Sequence, residues 1–127
     1  MGLDDSLMQA LVGLLEEDRD TFVPARLSIL VYLFFTQSAR FTDLQKTLKL
    51  TSGNLSSHLS KLESLELIRI SKRFVELKPT TIVSITQEGS EKVRGQLLRM
   101  RELVLMAVGQ DLAKPDTSSE EARATTE

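Results

Sequence analysis

The chain has 127 residues, 41% hydrophobic, 27% charged and 5% aromatic, with a formal net charge of −2. That is one domain's worth of ordinary globular composition, small enough for dimerisation to add useful stability and too poor in aromatics for a platform that stacks single-stranded bases. No cysteine is present and His58 is the only histidine, which excludes disulfides, thiol redox sensing, cysteine-based metal sensing, and a histidine dyad or paired histidine metal ligands within one chain.

The charge is unevenly placed. Residues 26–99 carry 12 Lys and Arg against 6 Asp and Glu, a balance of +6, whereas residues 1–25 come to −5 and residues 100–127 to −3. A basic middle between acidic ends is what a nucleic-acid surface with non-contacting termini produces, although counts this small also arise by chance. Asp4 and Asp5 stand where a signal peptide has its basic region, and no apolar run is long enough to span a bilayer. A soluble, cytoplasmic protein without membrane association is expected.

Leu3, Leu7, Leu11 and Leu14 recur at fours and a three, with Met8, Val12 and Leu15 beside them. This spacing predicts an amphipathic helix over 3–17, within an N-terminal segment 1–20 that ends in the polar run Glu16-Glu-Asp-Arg-Asp20. Pro24 suits a first helical turn, and the run from Ala25 to Phe35 is apolar on nearly all sides, the pattern of a central buried helix with Tyr32 and Phe34 in the core.

Thr42-Asp-Leu-Gln45 has the form of a capping box, with Thr42 at the N-cap of a short helix whose apolar stripe is Phe41, Leu44 and Leu48. Lys49 and Leu50 lead straight to Thr51 or Ser52, either of which can cap a second helix over 51–66. Leu55, Leu59 and Leu62 place one side of it against a core. Its other side carries Gly53, Asn54, Ser56, Ser57, Ser60, Lys61 and Ser64, small or hydrogen-bonding residues where a solvated helix ordinarily shows long Glu and Lys. Two helices joined by so short a turn form a helix-turn-helix, whose second helix is placed to enter a DNA major groove.

Ile68 to Phe74 alternates with period two and Thr81-Ile-Val-Ser-Ile-Thr86 is β-branched, so the two pair as a hairpin over 68–86 with its tip from Phe74 to Thr80. Lys72 and Arg73 lie on the approach and Lys78 at the tip, where cations also serve simply to blunt a sheet edge. Thr86 then caps a helix from about Gln87 to Gln110, roughly 36 Å long at the usual rise. Its segment is 87–112, and the polar, acidic stretch 113–127 is expected to be disordered.

Gly53-Asn-Leu-Ser-Ser-His-Leu-Ser-Lys-Leu-Glu63, Leu67-Ile-Arg69, Lys78-Pro-Thr80 and Ser84-Ile-Thr-Gln-Glu-Gly89 together carry a resemblance. From about Arg26 to Arg99 the chain resembles winged-helix transcriptional regulators of the MarR/ArsR-like kind, and most nearly the small winged-helix DNA-binding proteins of bacteria and archaea. The resemblance implies a mainly α, α+β fold: a winged helix-turn-helix over 21–86 with a two-stranded β-wing, charged as Lys72, Arg73 and Lys78 are here. Members usually have glycine where this chain has Glu66, so the left-handed helix end they use meets a residue with a Cβ.

On the long last helix Val93, Leu97, Met100, Val104 and Val108 form one stripe, with Leu98, Leu103, Leu105 and Met106 spread around the axis. One domain cannot cover both. Packing the end helices of two chains together through Leu3, Leu7, Leu11, Leu14 and that stripe solves the problem with isologous symmetry, although the same stripes also permit the two helices to fold on each other within a monomer.

Neither a phosphate loop nor a set of catalytic or metal-ligating residues is found, and no enzymatic activity or cofactor is expected. The function expected is sequence-specific binding of double-stranded DNA by a homodimeric transcriptional regulator. Thr51, Ser52, Asn54, Ser56, Ser57, His58 and Lys61 would face the major groove at an inverted-repeat operator, and Lys72, Arg73 and Lys78 the backbone or minor groove. For His58 a base contact and partial packing in the core stand equally open. Two alternatives remain: a winged-helix protein-interaction module, since fold does not fix function, and a sensor that binds an unidentified small-molecule effector between domain and terminal helices.

Overall fold

The computed structural model describes residues 5–16 and 21–109. In order these form α1 (Asp5–Glu16), α2 (Pro24–Thr36), β1 (Ser38–Arg40), α3 (Phe41–Leu48), α4 (Ser52–Ser64), β2 (Ile68–Val75), β3 (Lys78–Ile85) and α5 (Gln87–Val108). They divide into two compact units, one holding α2 through Gly95 and the other holding α1 and α5 from Gln96 onward. Leu3, the side chain of Leu14, the expected linker at 17–20 and the expected tail lie outside the described residues.

The larger unit is an α+β winged helix. Its sheet has the order β1-β3-β2 and is antiparallel throughout. Ile29, Leu30 and Leu33 of α2, Leu44 of α3, and Leu55, Leu59 and Leu62 of α4 are buried with Leu67, Ile68, Val83 and Val93. Each such side chain taken fully out of water contributes about 1.5–3 kcal/mol, which makes this leucine-rich centre the main support of the helix-turn-helix.

Three expectations change here. First, α2 is not buried on all sides: Phe35 is 75% exposed, and Phe34 is only half-buried, meeting Phe35 edge-on at 5.5 Å and the Arg94 guanidinium at 5.7 Å. Second, Thr42 is not an N-cap. α3 begins at Phe41 with Arg40 in the extended cap conformation and no side-chain cap bond, because Ser38, Ala39 and Arg40 pair with Ser84, Val83 and Ile82 and the strand itself delivers the chain to the helix. Third, Val93 is fully buried within a single chain. It is a core residue, so the stripe open to any partner starts at Leu97.

α4 ends in a Schellman motif despite the missing glycine. Glu66 takes φ 62°, its N–H bonds Glu63 O at 2.9 Å, and Leu67 N–H bonds Leu62 O at 3.1 Å. The tie continues into α5. Thr86 Oγ1 donates to Glu66 O at 2.8 Å and accepts from Gly89 N–H at 3.0 Å, while Thr86 N–H bonds Leu67 O at 3.0 Å. Gly89 is required by this packing: a Cβ there would stand 2.2 Å from Leu67 O and 2.9 Å from Ile85 Cγ1.

In the smaller unit α1 exposes Met8, Leu11 and Val12, and the end of α5 exposes Leu98, Met100, Val104, Leu105, Met106 and Val108. Leu7 and Leu97 are half-buried. No helix among the described residues is long and apolar enough to cross a membrane.

Candidate nucleic-acid interface

The turn before α4 is built by two residues with separate tasks. Lys49 adopts the left-handed conformation (φ 55°) that closes α3, and Thr51 Oγ1 accepts the Asn54 N–H at 3.1 Å to cap α4. Because Thr51 does the capping and Asn54 gives only its backbone N–H to it, the Asn54 carboxamide stands exposed.

Thr51, Ser52, Gly53, Asn54, Ser56, Ser57 and Ser60 are all exposed while Leu55, Leu59 and Leu62 are fully covered. α4 therefore presents a thin hydrogen-bonding face with a rigid apolar back. Lys61 and His58 are half-buried at its flanks. The Arg26 Nε donates to His58 Nδ1 at 3.2 Å, which leaves the Nε2 side of the ring as its remaining polar group. Sequence reasoning missed this contact, which joins positions 32 residues apart on different helices and leaves no local periodicity to find it by.

Side chains alternate across the sheet, so register assigns the cations of the wing to faces. Lys72 lies opposite Thr81, on the same face as Ile70 and the buried Val83. It shares a cleft of 460 Å³ with Ser56 and Ser60 of α4, Phe41, Ile70 and Thr81. Arg73, opposite Thr80, and Lys78, opposite Val75, lie on the other face with Arg69 and Arg40. The wing thus carries cations on both faces, and Lys72 is the one beside α4. Arg69 was findable from the alternation of Ile68-Arg-Ile70; Arg40 was not, since only the pairing of β1 places it.

The strands run further than expected, to a two-residue turn. Glu76 (φ 53°) and Leu77 (φ 67°) both take positive φ between paired Val75 and Lys78, the pattern of a type I′ hairpin. Leu77 is 95% and Phe74 78% exposed.

Residues 25–104 match the family model described as winged helix DNA-binding domain. The chain belongs to that family. An uncharacterized protein of Methanocaldococcus jannaschii is 31% identical over 78 residues, which is 61% of this chain and 85% of the relative. Among solved structures, a transcriptional regulator homologue from Pyrococcus horikoshii superposes with a TM-score of 0.71 at 32% identity, covering 76% of this chain and 95% of that one. The MepR–DNA complex of S. aureus gives a TM-score of 0.63 over 95% of this chain and 88% of that one, at 19% identity, a likeness of fold. The winged helix anticipated from the motifs at 53–89 is thus met in family and in fold.

Proposed function

We propose that this protein is a sequence-specific, double-stranded-DNA-binding transcriptional regulator, acting in the cytoplasm as a homodimer on an inverted-repeat operator. The observation that carries the reading is α4 itself, whose outer face is exposed and lined by Asn54 and serines while its leucines are completely buried. A helix meant only for solvent gains nothing from so many serines, which weaken helix propensity; a helix that must approach base edges closely does. The fold-level likeness to MepR, which was solved with DNA, supports the same use.

In this arrangement Asn54, Ser57 and Lys61, with Thr51, Ser52 and Ser56 around them, face the major groove, and His58 lies at the flank. Asn54 is suited to a bidentate pair with adenine, worth about 1–3 kcal/mol of discrimination. The cations Lys72, Arg73 and Lys78 neutralise phosphate and set register. Dimerisation rests on the apolar groups left exposed on α1 and on α5 from Leu98 onward, with Leu7 and Leu97 half-buried beside them, and would place the two copies of α4 about 34–36 Å apart, one duplex turn.

The test begins with selection of duplexes from a random pool. Asn54→Ala and Ser57→Ala are then measured on the selected site and on random duplex at matched salt. The expected result is a loss confined to the selected site. Equal binding by parent and variants removes the base-reading assignment, and failure of the parent to select any sequence favours a protein-interaction module instead. Sedimentation equilibrium at micromolar concentration decides the assembly, since a mass near 14.2 kDa rather than twice that rules out the homodimer.

A further inference from the structure

The wing ends in a feature that hairpin stability does not account for. Glu76 and Leu77 both sit at positive φ, a conformation that Asn-Gly accepts readily and that is disfavoured for a residue such as leucine. Leu77 gains nothing back by packing, because it is 95% exposed, and Phe74, opposite Pro79 in the register, is 78% exposed. Three apolar residues therefore stand in water at the end of a hairpin whose remaining exposed side chains nearby are Lys72, Arg73 and Lys78 against the single acid Glu76.

We propose that this tip is an apolar wedge: Leu77, backed by Phe74 and Pro79, enters the minor groove of the bound duplex and partly unstacks one base step. The proposal rests on the DNA-binding reading above and extends it, because the wing cations only position the protein whereas the wedge adds selectivity. The partner is a duplex on three grounds. Three cations against one acid fit a polyanion. Lys72, on the same face of the hairpin as Phe74 and Pro79, lines the same cleft as Ser56 and Ser60 of α4, so the tip projects from the groove-reading surface rather than from an unrelated face. The minor groove, about 6 Å wide, excludes a whole hairpin but admits the side chain at the end of a two-residue turn. Leucine, phenylalanine and proline are the residue types that insert between steps and kink DNA from this side. Flexible pyrimidine–purine steps are the easiest to open, so the protein reads deformability at positions where it makes no base hydrogen bond.

The experiment uses the full chain and the selected operator, altered only at the steps outside the sequence covered by α4. Leu77→Asn is the informative variant, since asparagine accepts the left-handed conformation and keeps the hairpin, and it leaves the net charge unchanged. The parent is expected to prefer a TA or CA step over an A-tract step at the wing position by about fivefold to tenfold, and to change the emission of a fluorescent adenine analogue placed there. Leu77→Asn should reduce the preference to within about twofold and abolish the emission change, with the slope of log affinity against log salt unaltered. Lys78→Gln should do the opposite, lowering that slope by about 0.9 while keeping the step preference. An identical step preference in parent and Leu77→Asn, no preference in the parent, or a changed salt slope in Leu77→Asn overturns the wedge while leaving specific binding by α4 intact. A parent that binds anionic vesicles through Leu77 but opens no base step also overturns it. A parent that binds no duplex at all brings down the functional reading first and the wedge with it.

Discussion

The helix-turn-helix and the wing both project side chains toward the same cleft, yet they are held in different ways. Both ends of α4 are fastened, by Thr51 at the start and by the Schellman bonds of Glu66 and Leu67 at the finish, and its back is three fully buried leucines. The wing is fastened only at its root. Ile68 and Val83 are buried there, whereas from Lys72 to Pro79 every residue except the half-buried Val75 is exposed and the strands hold only each other. A surface that matches hydrogen-bonding groups to base edges must keep its atoms in place, and α4 meets that requirement. One that follows a phosphate backbone or a groove of variable width is served by a hairpin anchored at one end.

Truncating an apolar side chain should therefore cost much stability in α4 and almost none in the wing. Leu59 is 2% exposed at the centre of α4, and Leu59→Ala is expected to destabilise the fold by about 2–5 kcal/mol, through lost burial and the cavity left behind. Phe74→Ala removes a larger side chain but should stay within about 0.5 kcal/mol, because little of it is buried. Urea denaturation of the two variants beside the parent checks the pair. A loss above about 1 kcal/mol in Phe74→Ala would show that the wing packs on something and is not a free arm.

What the sequence made legible follows the same division. Regular periodicity reports faces that a core covers, so Leu55, Leu59 and Leu62 and the alternation through Ile68 and Ile70 were readable and stand in the fold as expected, and of the two caps the sequence offers, Thr51 and Ser52, the fold uses Thr51. Features created by pairing between distant segments were not. Ser38-Ala-Arg40 has no β-branched residue and is a strand only because β3 lies beside it, and that pairing displaces the capping box at Thr42. The contact of Arg26 with His58 and the positive φ of Glu76 and Leu77, which the pairing of β2 with β3 imposes, belong to the same class, since local preference opposes or ignores them. The composition of the α4 face was plain from the start, but the assignment of Lys72 to one side of the wing and Arg73 and Lys78 to the other required the register.

The junction between α4, the wing and α5 gives a second way to press the comparison. Gly89 lets the first turn of α5 rest on the Leu67 carbonyl, and alanine would put a methyl group 2.2 Å from that oxygen. The obstacle is backbone, already fixed by the Thr86 N–H, so it cannot turn aside as a side chain would. Gly89→Ala should therefore destabilise by about 1–3 kcal/mol even though alanine is the better helix former. A gain in stability would mean that α5 can slide along the sheet and that the root of the wing is looser than the hydrogen bonds at Thr86 imply.

The smallest expected effect is the most discriminating. Glu66 closes α4 and Glu76 and Leu77 close the wing, all with φ between 53° and 67°. Relief of the same backbone strain should be felt globally in the first case and locally in the second. Glu66→Gly removes the Cβ conflict while keeping both Schellman bonds and the carbonyl that receives the Thr86 hydroxyl, and the end of α4 lies against buried Leu62 and Leu67. After allowance for the greater freedom of glycine in the unfolded chain, it should stabilise the whole fold by about 0.5–1 kcal/mol, seen as a higher urea midpoint with an unchanged slope. Glu76→Asn combined with Leu77→Gly supplies the ideal type I′ pair, yet it should leave that midpoint within error and raise hydrogen-exchange protection only at amides near the turn, because the distal hairpin opens without the core. A rise in the global midpoint from the wing substitutions, matching that from Glu66→Gly, would show that hairpin and helix-turn-helix unfold as one unit, and the difference in anchoring drawn between them would have to be withdrawn.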